Sequence, residues 1–353
     1  MQNSPDFFTT RAKNCRIKLE KIKQELPFYC TEYFTSIENI TTPLARLNYG
    51  YDLRIFFDFL VKRYFTNKKA IDVSLKDLES LSAADIEAYL SYLSYYTFND
   101  KELMCAEAGK SRKLSSVRSF FKYLFSRDYL TSDVASKVKV PKIRDKEIIR
   151  LDVNENVNEI ADLIETVDSG DGLSSRQQKF HNITKVRDVA MITLFLGTGI
   201  RISELVGLNV GDVNLDNNSF VVTRKGGSRS ILYFGEEVKE ALNDYVYVQR
   251  GLDFQKDKNQ PLFLSLKGLR ISVRAVENIV KKYASISAPL KKITPHKLRS
   301  SFGTNLYKET GDIYVVADCL GHRDVNTTKK HYAAITEDIR KDAISVVKLR
   351  KKD

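Results

Sequence analysis

The apolar residues in the first part of the chain recur every three or four positions, which is the spacing of one face of an α-helix. This periodicity constrains the fold more than any other feature of the sequence. One such stripe spans residues 11–26 and stops at Pro27, and two further stripes span residues 44–59 and 82–96. Residues 1–150 are therefore predicted to form an all-α bundle that begins with an additional N-terminal helix.

A polar segment separates this bundle from the rest of the chain. It follows Pro141, alternates basic and acidic residues, and interrupts the apolar periodicity, as is typical of a linker. We place the domain boundary near residue 150, so that the predicted domains are residues 1–150 and 151–353.

Two β-rich runs interrupt the helical periodicity of the second half. Phe220–Thr223 and Ile231–Phe234 flank the turn residues Gly226 and Gly227, and this pattern predicts a β-hairpin. Helical patterns precede and follow the hairpin. The predicted fold class is therefore mainly α with a small antiparallel β-sheet, in which an all-α domain precedes an α+β domain.

The charge of the chain indicates a polyanionic partner. Lys and Arg number 57 against 45 for Asp and Glu, and the net charge of +12 is spread over both predicted domains, which favours nucleic acid. No apolar run is long enough to span a membrane, and the N-terminus lacks the apolar core of a signal peptide, so we expect a cytoplasmic protein. The four cysteines lack the spacing of a zinc site and agree with a reducing compartment.

One segment, residues 108–127, carries six basic residues and no acidic residue. A surface that only solubilises a protein normally mixes both signs of charge. Contact with phosphates is therefore predicted, and a merely solvated helix face is the alternative. The predicted DNA-binding residues are Lys110, Arg112, Lys113, Arg118 and Lys122.

Two nucleotide-binding patterns fail on inspection. The GKS sequence at 109–111 ends like a phosphate-binding loop, but Met104 occupies the position of the first glycine. The GTG sequence at 197–199 begins like a dinucleotide fingerprint, but Ile202 replaces the third glycine. Neither pattern predicts a nucleotide cofactor.

Four short segments of the second half carry residues suited to a phosphodiester. They are TGIRISEL with Arg201, TRKGGSR with Lys225, TPHKLR with His296 and Arg299, and LGHRDVNTTKKHY with His322 and Tyr332. A phosphodiester under attack gathers negative charge on its non-bridging oxygens, and fixed cationic donors stabilise that charge. Arginine suits this task because its planar group donates to two oxygens at once and stays protonated. Arg201 and Arg299 are therefore the predicted phosphate-binding arginines.

In their order and context these segments resemble the tyrosine recombinase, or lambda-integrase-like, family, and within it the Xer type. The resemblance is strong over residues 185–334 and weak in the first half. It implies a SAM-like core-binding domain and a catalytic domain that enclose duplex DNA together. The implied enzyme is a site-specific recombinase that cleaves and rejoins DNA through a 3′-phosphotyrosine, as a tetramer on two DNA sites, without metal, ATP or another cofactor.

The resemblance also implies a role for each residue of the site. Tyr332 would be the nucleophile, and Lys225 would protonate the leaving 5′-oxygen. His296 would hydrogen-bond the phosphate or help to deprotonate the tyrosine, and His322 would bind another phosphate oxygen. Glu204 would orient the first arginine.

Departures from the family pattern leave the subfamily open. Ser300 stands where many relatives have another histidine, and His331 directly precedes the predicted nucleophile. An apolar stripe over residues 335–347 follows the tyrosine on a predicted terminal helix. The resemblance favours donation of this helix to the next protomer, and docking on its own domain is the alternative.

Two other functions use the same fold. A type IB topoisomerase-like enzyme would relax DNA by the same chemistry, but the terminal stripe disfavours it. A catalytically silent DNA-binding protein is disfavoured by the complete set of six site residues. The sequence leaves open the DNA target, any activating protein, and whether the reaction resolves chromosome dimers or integrates and excises a mobile element.

Overall fold

The computed structural model describes residues 7–143, 149–154, 157–224, 227–321 and 325. The chain divides into two compact units, residues 1–146 and 147–353. Both are mostly helical with short antiparallel strands, which confirms the predicted fold class. In the described part of the chain, no helix is long and apolar enough to cross a bilayer.

The helices of the first unit share one aromatic core. They are α1 (Phe7–Lys23), α2 (Phe28–Ser36), α3 (Pro43–Arg63), α4 (Leu75–Glu79), α5 (Ala83–Tyr92) and α6 (Glu107–Ser126), with 3₁₀ turns at Ala70–Asp72 and Val134–Lys137. Phe56 and Phe57 of α3 pack against Phe121 and Phe120 of α6, each pair with its ring centroids 6.0 Å apart. Buried aromatic pairs of this kind stabilise the α3–α6 contact.

The first unit contains a β-hairpin after α5, so the expectation that it is entirely helical is wrong. Strand β1 (Tyr96–Phe98) pairs antiparallel with β2 (Lys101–Leu103). The turn residues Asn99 and Asp100 both have positive φ, which these two residue types accept more readily than other non-glycine residues. Strands of three residues are too short to give a recognisable alternation of apolar and polar positions.

The second unit combines helices with small antiparallel sheets. Its helices are α7 (Glu159–Ser169), α8 (Ser175–Thr198), α9 (Ile202–Gly207), α10 (Glu236–Asn243), α11 (Val273–Ser287), α12 (Pro295–Thr310) and α13 (Ile313–Leu320), with a 3₁₀ turn at Val210–Asp212 and a π-helical turn at Asp244–Gln249. Its strands are β3 (Val153–Asn154), β4 (Val157–Asn158), β5 (Val213–Asn214), β6 (Ser219–Thr223) and β7 (Arg229–Tyr233). Strand β3 pairs with β4, and the other three form one sheet in the order β5-β6-β7.

Strands β6 and β7 are the hairpin that the sequence predicts. Phe220 pairs with Leu232, and both side chains are buried, whereas Ile231 and Tyr233 on β7 are exposed. One face of the sheet therefore packs on the core. The tip of the hairpin follows Thr223, the last residue of β6.

Candidate active site

Two helix ends meet beside α12 and place the predicted arginines together. Gly199 caps the C-terminus of α8 and Gly321 that of α13, both in the left-handed conformation with φ of 60° and 58°. A Cβ atom at Gly199 would lie 2.5 Å from Phe302 Cδ1 and 2.8 Å from Leu320 Cδ2. Only glycine combines this backbone conformation with so close an approach.

Arg299 lies on α12 and is almost completely buried, with 5% of its surface exposed. Its guanidinium donates hydrogen bonds to the backbone oxygens of Gly199 and Leu320. These acceptors lie at the C-terminal ends of α8 and α13, where the helix dipole favours a cation. Arg299 therefore links the two helix ends.

Arg201 immediately precedes α9, and Glu204 in the first turn of that helix holds it. Arg201 Nη1 lies 3.0 Å from Glu204 Oε1, while the backbone N–H of Arg201 donates to Glu204 Oε2 over 3.1 Å. Arg201 Nη2 also donates to the backbone oxygen of Gly321 over 3.3 Å. The Glu204 side chain is 2% exposed and that of Arg201 37%, so the carboxylate is buried and the guanidinium reaches solvent.

Arg224 is a member of this site that the sequence analysis missed. Its Nη1 atom lies 3.3 Å from Glu204 Oε1 and 3.4 Å from the backbone oxygen of Leu320. Its side chain is 11% exposed. The sequence signal that could have identified Arg224 is its position in the TRKGGSR segment, directly before Lys225.

Arg201, Arg224 and Arg299 with Glu204 form what we call the arginine cluster. Three guanidinium groups and one carboxylate leave two positive charges in excess among these four side chains. A carboxylate buried this deeply requires charged partners, and it has two of them. The cluster concentrates N–H donors of the kind that bind a phosphate.

Comparison with known proteins places the chain in one family. A model of the phage integrase family matches residues 144–338, more than half of the chain. Tyrosine recombinase XerS of Streptococcus mutans is 31% identical, with 93% of this chain and 97% of that protein aligned. The chain belongs to the phage integrase family and is a Xer-type tyrosine recombinase. A tyrosine recombinase XerC, from Thermodesulfovibrio yellowstonii, is 36% identical over 62% of this chain and 69% of its own length.

Solved tyrosine recombinase structures share the fold. XerH site-specific recombinase, bound to palindromic difH substrate in a post-cleavage complex, gives a TM-score of 0.67 at 18% identity, covering 97% of this chain and 90% of that chain. The Tn1549 transposon integrase in complex with a circular intermediate DNA gives 0.58 at 18% identity, covering 88% and 98%. The relatives confirm the predicted enzyme class, a site-specific recombinase, and favour neither alternative function.

Of the remaining predicted site residues of this recombinase, His296 is the one that the described part of the chain contains. His296 lies in the first turn of α12 with an exposed side chain, three residues before Arg299. Lys225, His322 and Tyr332 lie outside the described residues, as does the apolar stripe at 335–347. In the sequence, Lys225 directly follows Arg224, and His322 directly follows Gly321. Their predicted roles remain predictions.

The basic segment of the recombinase lies on α6, and its first residues have acidic partners. Lys110 pairs with Glu107 over 2.8 Å. Arg112 and Lys113 both reach the fully buried carboxylate of Asp52 on α3, over 2.6 Å from Arg112 Nη2 and 3.4 Å from Lys113 Nζ. The absence of acidic residues within 108–127 therefore does not mean an absence of counter-charge.

The last two predicted DNA-binding residues differ from each other. Arg118 donates to the backbone oxygens of Ala135, Ser136 and Val138, so it holds the chain that follows α6 against the helix. Lys122 is exposed. Of the five predicted residues, Lys122 and the half-exposed Arg112 are the most accessible to a DNA backbone.

Proposed function

We propose that this recombinase cuts and rejoins duplex DNA with Tyr332 as its nucleophile and with Arg201 and Arg299 of the arginine cluster as its phosphate-binding residues. The convergence of Arg201 and Arg299 at the ends of α8 and α13 carries the proposal. A guanidinium has five N–H donors, and the Arg201 side chain is 37% exposed. The exposed part of Arg201 gives a phosphate its point of entry.

The chemistry balances without a further reactant. The Tyr332 oxygen attacks the phosphorus, and the bond from phosphorus to the 5′-oxygen breaks. His296 accepts the tyrosine proton, Lys225 protonates the departing 5′-oxygen, and Arg201, Arg299 and His322 stabilise the charge on the non-bridging oxygens. The products are a 3′-phosphotyrosine and a free 5′-hydroxyl. A 5′-hydroxyl from another strand reverses the step, and the covalent intermediate conserves the bond energy, so ATP is not required.

Both units are proposed to contact the same DNA. The net charge of +12 supports a polyanionic partner, and the XerH and Tn1549 relatives are DNA complexes. Within the first unit, Arg112 and Lys122 on α6 are the proposed phosphate contacts. We further propose a tetramer on two DNA sites in the cytoplasm, with or without an activating protein. The proposed biological role of the recombinase is chromosome dimer resolution or the integration and excision of a mobile element.

Trapping the covalent intermediate tests this function. The DNA is a duplex selected from genomic fragments by its affinity for the protein, with a nick placed near the cut so that the released piece diffuses away. Wild-type protein and the control Tyr314→Phe, which alters an exposed tyrosine on α13, should form a covalent adduct. Tyr332→Phe should bind equally well and form none, because it lacks only the nucleophilic oxygen. An adduct with Tyr332→Phe would show that another residue attacks.

A further inference from the structure

Arg224 closes the base of the hairpin tip with its backbone. Its N–H donates to the Ser228 oxygen over 2.7 Å, and its oxygen accepts from the N–H of Gly227 over 3.0 Å. The chain between these bonds is Lys225 and Gly226. The position of Arg224 therefore sets where the tip of the hairpin begins.

The side chain of Arg224 ties that base to the arginine cluster. Its Nη1 atom reaches both the Glu204 carboxylate and the Leu320 backbone oxygen, which belong to α9 and α13. The guanidinium also lies directly against Gly321, where a Cβ atom would be 2.6 Å from Arg224 Cζ. One side chain thus contacts the partner of Arg201 and the residue that precedes His322.

Burial of this kind is not a general property of arginines in the hairpin. Arg229 lies on β7, across from Thr223 in the register of the strands. Its side chain is 69% exposed, and its nearest carboxylate, that of Asp212, is 3.8 Å away. Arg229 therefore provides a control with the same charge in the same hairpin.

We propose that Arg224 is a positioning residue that holds the hairpin base against the arginine cluster, and that the proposed general acid Lys225, the next residue in the sequence, depends on this contact. The inference rests on the proposed role of Lys225. The guanidinium reaches acceptors on two helices while its planar face lies against Gly321, and the compact ammonium of lysine does not reproduce that packing. Loss of Arg224 should therefore impair protonation of the leaving group more than binding of the phosphate.

The test compares two substrates that differ only in their need for an acid. One is the nicked suicide duplex with an ordinary phosphodiester, and the other carries a 5′-phosphorothiolate at the cut, whose sulfur leaves without a proton. Arg224→Gln and Arg224→Lys should cleave the ordinary substrate about 10- to 100-fold more slowly than wild type in single turnovers, a partial loss of the roughly 10²- to 10⁴-fold that a positioned acid contributes. Both should cleave the phosphorothiolate within about threefold of the wild-type rate. Arg229→Gln should match wild type on both substrates.

Several outcomes would overturn the proposal. Equal impairment of Arg224→Gln on both substrates would assign Arg224 to phosphate binding or folding, and no impairment on either would remove it from the site. Full activity of Arg224→Lys on the ordinary substrate would mean that charge alone suffices. Thermal unfolding shows whether each variant is folded, and its DNA affinity shows whether it still binds the substrate. Both are measured separately from the cleavage rate.

Lys225→Ala, measured on the same two substrates, distinguishes a failure of the positioning role of Arg224 from a failure of the general-acid role of Lys225. If the phosphorothiolate rescues Lys225→Ala but not the Arg224 variants, only the positioning role is overturned. If it does not rescue Lys225→Ala, the general-acid role itself fails, and the role of Arg224 falls with it.

Discussion

The guanidinium of Arg201 lies 3.0 Å from the buried carboxylate of Glu204, and this ion pair sets the orientation of the exposed member of the arginine cluster. Arg224 pairs with the same carboxylate oxygen. Glu204 therefore organises two guanidinium groups whose mutual repulsion would otherwise separate them. Its side chain does not need to touch DNA to affect the reaction.

Glu204→Gln should slow cleavage while leaving the affinity for DNA unchanged or tighter. The variant keeps the shape of the side chain but loses the charge that orients both arginines, and it also removes a negative charge near the phosphate. A hydrogen bond between charged groups contributes about 1.5–3 kcal/mol, which corresponds to a loss of roughly 10- to 100-fold in rate. Single-turnover cleavage and DNA binding, measured in the same buffer, check this expectation.

Glu277→Gln is the control for that experiment. Glu277 forms an exposed pair with Arg274 on α11, over 3.2 Å, and pairs of this kind contribute little. It should cleave at the wild-type rate. Equal rates for both glutamine variants would contradict the orienting role of Glu204.

Gly199→Ala should both destabilise the second unit and slow cleavage. The residue has a φ of 60°, and a Cβ atom there would collide with the side chains of Phe302 and Leu320, so these side chains or the end of α8 must shift. Gly311→Ala is a matched control, because Gly311 also ends a helix at positive φ, 66°, but a Cβ atom there meets nothing within 4 Å.

Gly311→Ala should cost about 1–2 kcal/mol of unfolding free energy from backbone strain alone. Gly199→Ala should cost more, since the collision adds to the strain. Urea unfolding of the two variants measures the difference. A cost for Gly199→Ala no larger than that for Gly311→Ala would mean that the surrounding side chains accommodate the added methyl group without cost.

Site residues could be predicted from the sequence where a suitable residue type stands in a recognisable motif. They could not be predicted where their role depends on a contact with a residue far away in the sequence. Arg201 and Arg299 stand in segments whose composition already suits a phosphate, and the structure brings both into one cluster. Arg224 in a hairpin tip has the sequence signature of a solvated charge, and only its contacts across 20 and 96 positions reveal its burial. Asp52 pairs with Arg112 across 60 positions, so local charge patterning on α6 could not anticipate its counter-charge.

Deleting residues 336–353 should leave binding to a single DNA site intact and abolish cooperative assembly and recombination. The apolar stripe on this segment requires a groove, and exchange between protomers would couple one subunit's nucleophile to its neighbour. Native gel shifts on one-site and two-site DNA, together with a recombination assay, check this expectation. Cooperative dimers and normal recombination by the truncated protein would mean that the segment packs on its own domain.

The basic residues of α6 should separate into two classes when DNA binding is measured against salt concentration. Lys122→Gln removes an exposed charge, so the slope of log affinity against log salt should shrink by about 0.9 if the residue contacts a phosphate. Lys113→Gln removes a buried cation that lies 3.4 Å from Asp52. It should therefore lower the unfolding free energy while leaving the slope nearly unchanged, because a buried charge paired with a carboxylate does not reach DNA. Equal slopes for Lys122→Gln and wild type would mean that Lys122 contacts no phosphate and that this face of α6 is merely solvated.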